Sequence, residues 1–173
     1  MRVSFLALGA GLVLASMPVA SDAQRADNDI FSQSVALQKQ GEAAQARGDL
    51  DAAVDYYESA LTADPRNRAA IIAMAQVARA QGLPGKAIGL YREALLLEPN
   101  DIVALTGQGE ALADKGAIEL AREKLAAAQR LCKDKCPQLA ALEKAIASGD
   151  AKRVVAAEAI APKPVATVGT SQN

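Results

Sequence analysis

Cys132 and Cys136 are the two cysteines of the chain, and their close spacing is its first candidate for chemistry. Three readings of the pair stand side by side. In an exported protein, two neighbouring cysteines more often pair than stay free. A redox site would call for C-x-x-C and thioredoxin-like strands, and three residues stand between these two. Two thiols without histidine are too few for zinc. A structural disulfide is the favoured reading. It would close a very short loop and contribute about 2 kcal/mol by the loop-length estimate. Its role would be to fix a turn.

Other chemistry is scarce. The chain has no histidine, which removes the usual general base, proton shuttle and metal ligand together. Glu42 and Glu110 could act as a carboxylate pair, but no pattern around them encloses a reaction site. Gly82-Leu83-Pro84-Gly85-Lys86-Ala87 resembles a phosphate loop only faintly. Ala80 stands where the first glycine belongs, and Ala87 where Ser or Thr belongs. A net charge of −1 gives no basic surface to follow a phosphate backbone, so nucleic acid is excluded as a partner. The sequence therefore predicts no enzyme, no cofactor and no metal. What is left is a surface that holds something.

The elements that must build that surface begin after a targeting segment. Arg2 precedes an apolar run from Val3 to Met17, Pro18 breaks it, and Ser21-Asp22-Ala23 offers small residues before a cut. Residues 1–23 read as a signal peptide cleaved between Ala23 and Gln24, giving a periplasmic or secreted product with no membrane span left. A membrane anchor is the other reading, but the run is short for about 30 Å of hydrocarbon. No cysteine near the cut supports lipid attachment. Residues 24–33 are a polar lead-in.

Beyond it, landmarks recur at a step of 34 residues: Gly48, Gly82 and Gly116; Ala53, Ala87 and Ala121; Ala60, Ala94 and Ala128; Pro65 and Pro99; Tyr57 and Tyr91, with Leu125 third. About half the chain is apolar, mostly alanine, with few aromatics, a composition suited to closely packed helices. Ser32 or Ser34 is expected to cap the first helix, and Asp49 and Asn67 the next two. Each repeated glycine should end a helix in the left-handed conformation. Pro84 opens a helix at its first position, where no N–H is missed. Lys133 replaces the third closing proline. Pro137 starts one more amphipathic helix, with Leu139, Leu142 and Ile146 as its stripe, ending near Gly149. Residues 150–173 show no period and read as a disordered tail.

This spacing resembles the tetratricopeptide repeat (TPR) family, with units at 34–67, 68–101 and 102–136 and a capping helix at 137–149. The family pattern places a small residue at position 8 (Gly41, Ala75, Gly109), alanine at 20 and an aromatic at 24. Position 7, usually apolar, is Gln40, Met74 and Gln108, so the first and third units depart there. The fold implied is all-α: a right-handed α-solenoid of three helix-turn-helix units with a C-terminal cap.

The resemblance further implies a concave groove lined by the first helix of each unit. Its candidate partner-binding residues are Gln38, Glu42 and Gln45; Ile72, Gln76 and Arg79; Thr106 and Glu110, with Val35, Ala69, Val103 and Ala113 between them. Some relatives grip a peptide carboxylate with Lys and Asn. Here Glu42 and Gln76 replace the needed donors, and Ala73 and Gly107 the basic residues, so that clamp is absent. The expected function is an exported scaffold binding a protein or peptide segment, in bacterial envelope assembly or secretion. A self-assembling adaptor and an accessory subunit of an envelope enzyme are the alternatives.

Overall fold

Three glycines turn the chain back on itself: Gly48 has φ 79°, Gly82 74° and Gly116 84°. Each lets the residue after it donate back into the helix just ended. Asp49 N–H reaches the Ala44 carbonyl at 3.0 Å, Leu83 that of Ala78 at 2.9 Å, and Ala117 that of Leu112 at 2.9 Å. These bonds satisfy carbonyls that a helix end leaves open, and only glycine adopts the turning conformation with little strain.

The computed structural model describes residues 29–132 and 136–160. Among the described residues it contains seven helices and no strand: α1 (Ser32–Ala46), α2 (Leu50–Ala63), α3 (Arg68–Ala80), α4 (Pro84–Leu97), α5 (Ile102–Asp114), α6 (Ile118–Leu131) and α7 (Pro137–Ile160). Consecutive helices pack pairwise, α1 on α2, α3 on α4 and α5 on α6, and each pair stacks on the next. The proposed signal peptide, its cut at Ala23, residues 24–28 of the lead-in and residues 161–173 lie outside the described residues. No helix among the described residues is long and apolar enough to cross a membrane.

Start signals follow local chemistry. Asp49, Asn67 and Asp101 each accept a hydrogen bond from the backbone N–H three residues on, at 3.2, 3.1 and 2.9 Å. The first helix is different. Its N-cap is Phe31 and no side chain caps it, although Ser32 or Ser34 is expected there. Ser34 is instead fully buried. Its hydroxyl donates to the Ala60 carbonyl at 2.7 Å and accepts from Asn67 Nδ2 at 2.9 Å. Buried polar groups must be paired, and this serine serves the α2–α3 junction.

The last helix also departs from expectation. It does not stop at Gly149 but runs on to Ile160, so the residues from 150 to 160 are helical. Gly149 has no positive φ. A Cβ there would collide with the Ile118 side chain, so this glycine permits close packing and ends nothing.

The core is lined by alanines around a few large side chains. Ala44, Ala53, Ala60, Met74 and Val77 surround Tyr57; Ile71, Ala75, Ala87, Ala94, Ala104 and Ala111 surround Tyr91. A third cluster joins Leu112, Ile118 and Ala121 to Leu142 and Ile146 of α7. Here α7 covers apolar surface that α5 and α6 would otherwise expose to water. Cys132 and Cys136 are joined by a disulfide, with Cα atoms 6.2 Å apart, at the passage from α6 to α7.

Candidate functional site

The first helices of the pairs, α1, α3 and α5, present one shared face. On it lies an open groove of about 680 Å³. Ile72, Ala73, Ala69 and Val103 form its apolar floor, and Glu42, Gln45, Gln76, Arg68 and Asp101 its polar edges. A second depression continues past Arg68 and Ala69 to Val35, Gln38 and Leu97. A third lies between Arg79, Glu110 and Asp114 and the side of α7 bearing Lys144.

Of the two repeat-phase tyrosines, both core residues, Tyr57 also reaches the groove. Tyr57 rises from α2 with its ring buried, and its hydroxyl donates to Gln45 Oε1 at 2.8 Å in the groove wall. Burial, with the charge of Glu42, pushes its phenol up to about 12. Tyr91 rises in the same way from α4. Burial pushes it up to about 12, Arg79 opposing and Glu110 assisting. Both phenols are neutral at physiological pH, and Tyr57 is part of the groove wall.

Three arginines around these depressions are held by carboxylates. Arg68 Nε lies 2.9 Å from Asp101 and its Nη1 4.0 Å from Glu98. Arg79 pairs with Glu110 and, at 2.6 Å, with Asp114. Burial opposes the Arg79 charge, but Asp114 and Glu110 outweigh it and hold its pKa above the ordinary guanidinium value. Arg66 bonds Asp64 at 3.2 Å. That hydrogen bond, supported by the Phe31 N–H at 3.0 Å, keeps the Asp64 carboxyl below the usual range despite its burial.

Of the expected lining residues, Glu42, Gln45, Ile72 and Gln76 meet in the main groove, Gln38 lies in the adjoining depression, and Arg79 and Glu110 in the third. Thr106 does not join them. It is 2% exposed and spends its hydroxyl on the Ile102 carbonyl at 2.8 Å. The reason is crowding: α3, α4, α6 and α7 all pack against α5, burying residues 104 to 109. Arg68, Asp101 and the Tyr57 hydroxyl were not anticipated as lining. Arg68 opens the second unit and Asp101 closes it, and the fold brings these two unit boundaries together.

The arrangement offers hydrogen-bond donors and acceptors over an apolar floor. Among the described residues no group of three or more His, Cys, Asp or Glu is placed to hold a metal.

Residues 39–102 and 72–140 match the family profile described as tetratricopeptide repeat. The chain belongs to the tetratricopeptide repeat family. Solved TPR structures share its fold. The Sgt2 TPR domain from Aspergillus fumigatus superposes with a TM-score of 0.65 at 22% identity, over 82% of this chain and 92% of that one. The first TPR of Spaghetti (RPAP3), bound to the HSP90 peptide SRMEEVD, gives 0.62 at 21%, over 69% and 94%. The TPR2B domain of yeast Sti1, in a complex with pHsp70, gives 0.65 at 16%, over 71% and 100%. Among curated proteins none matches. At these identities the likeness is one of fold, and the TPR groove of this chain has its own side chains.

Proposed function

We propose that this TPR chain is an exported, non-catalytic scaffold that holds a protein or peptide segment in the groove of α1, α3 and α5, in bacterial envelope assembly or secretion. The observation that carries the reading is the groove itself. Its floor of Ile72, Ala73 and Val103 can seat apolar side chains, while Gln45 and Gln76 offer amides to an extended backbone. Solved TPR domains of the same fold in complexes with HSP90 and Hsp70 partners support it by analogy. Export rests on the apolar run and small-residue cut of residues 1–23.

A pull-down from envelope extract tests the groove. Gln38→Ala, Ile72→Asp and Gln76→Ala should each reduce the captured partners, and an unchanged set would move the site off this face. Fractionation tests export: the processed chain should appear outside the cytoplasm, and an unprocessed cytoplasmic chain would contradict it.

Self-assembly is the second reading, favoured by Leu96 and Leu97, which α4 leaves 79% and 45% exposed. Light scattering across a dilution series separates it from a monomeric scaffold.

A further inference from the structure

Among the described residues, the edges of the main groove carry one charge, Glu42, that no ion pair offsets. Glu42 accepts a hydrogen bond from the neutral Gln38 amide at 2.8 Å, and no ion pair to it is formed among the described residues. The arginines around it are already engaged. Arg68 is held by Asp101 and Glu98, and Arg66 in the adjoining depression by Asp64. An anionic ligand would find each guanidinium beside a carboxylate and would add a like charge near Glu42. A cation would find Glu42 exposed and unpaired. Beside it lies the apolar floor, with Ile72 and Ala73 nearly closed off from water and Val103 39% exposed.

We propose that the groove selects an extended peptide segment carrying an apolar side chain, seated on Ile72 and Val103, next to a lysine or arginine set against Glu42. This rests on the groove reading above and names its partner class. Complementary charge at an exposed edge contributes modestly to affinity and more to choice between partners.

Fluorescence anisotropy with three labelled peptides tests it. They share the same apolar residues and carry lysines, serines or glutamates. On the intact chain the lysine peptide should bind about fivefold tighter than the glutamate peptide, with serine between them. Glu42→Lys, at an exposed position, should reverse that order. Ala69→Trp, at an exposed alanine that lines both depressions, should block all three peptides, with circular dichroism confirming the fold. A glutamate preference on the intact chain, or an order that Glu42→Lys leaves unchanged, would overturn the charge selection. If Ala69→Trp still blocked binding in that case, the groove reading would stand. Peptide binding indifferent to Ala69→Trp, or no binding at all, would overturn both. So would peptide displacement by a second copy of the chain as its concentration rises.

Discussion

Tyr57 packs against Gly41, so close that a Cβ on Gly41 would stand 2.5 Å from the ring's Cε1. The contact sets how near α1 approaches α2, and through the Tyr57 hydroxyl it sets where Gln45 stands in the groove wall. Gly41→Ala should therefore overpack the pair and cost about 1–3 kcal/mol in denaturant unfolding. Gly89→Ala, in α4 with open space around it, should instead stabilise by about 0.5–1 kcal/mol, since glycine is a poor helix former. Equal effects at the two sites would refute the packing role assigned to Gly41.

Gln108 supplies the opposite case, a core position occupied by the wrong chemistry. It is 4% exposed, its Nε2 reaches the Ile88 carbonyl at 3.3 Å, and its Oε1 has no partner. An unpaired buried acceptor costs stability. Met74 holds the same phase in the preceding unit. Gln108→Met should raise stability by about 1 kcal/mol, read as a higher melting temperature. A lower one would mean the amide matters more than its geometry indicates.

Elements were readable from sequence wherever the determining residues are neighbours. Asp49 and Asn67 cap helices through bonds to the third residue on, and the stop glycines act within one turn, so both were predicted correctly. Ser34 was misread because its partners, Ala60 and Asn67, lie 26 and 33 residues away. Gly149 was misread because a glycine that admits Ile118 looks, in sequence, like one that ends a helix. In the groove, the places of Glu42, Gln45, Ile72 and Gln76 followed from the family resemblance. Thr106 did not, since its burial arises from the packing of α3, α4, α6 and α7 around α5, which no single repeat unit displays.

Two ends of the pH range should report different residues. The Asp64 carboxyl is lowered in the fold, so its contribution is fully present above its ordinary value of 3.8 and is lost as pH falls below that toward the folded value. Asp64→Asn should flatten the acid limb of a stability–pH curve. Tyr57 and Tyr91 are raised, so their contribution is full below pH 10.0 and is lost as pH rises from there toward about 12. The double variant Tyr57→Phe/Tyr91→Phe should show a flatter alkaline limb. Unchanged slopes would mean these groups titrate alike folded and unfolded.

The Cys132–Cys136 bridge closes a very short loop, so it restrains the unfolded chain only slightly. Replacing both by serine should cost about 2 kcal/mol. Because the bridge sits where α6 passes into α7, hydrogen exchange should rise first in α7, while α1 to α4 keep their protection. Uniform loss across all helices would contradict a local role.

The central claim is that a partner lies along α1, α3 and α5, and site-directed photocrosslinking in the native host tests it most directly. A photoreactive side chain at Gln76, exposed in the groove, should form a discrete covalent adduct. One at Glu58, exposed on α2 and away from the groove lining, should form none. Adducts from Glu58 and not from Gln76 would contradict the account.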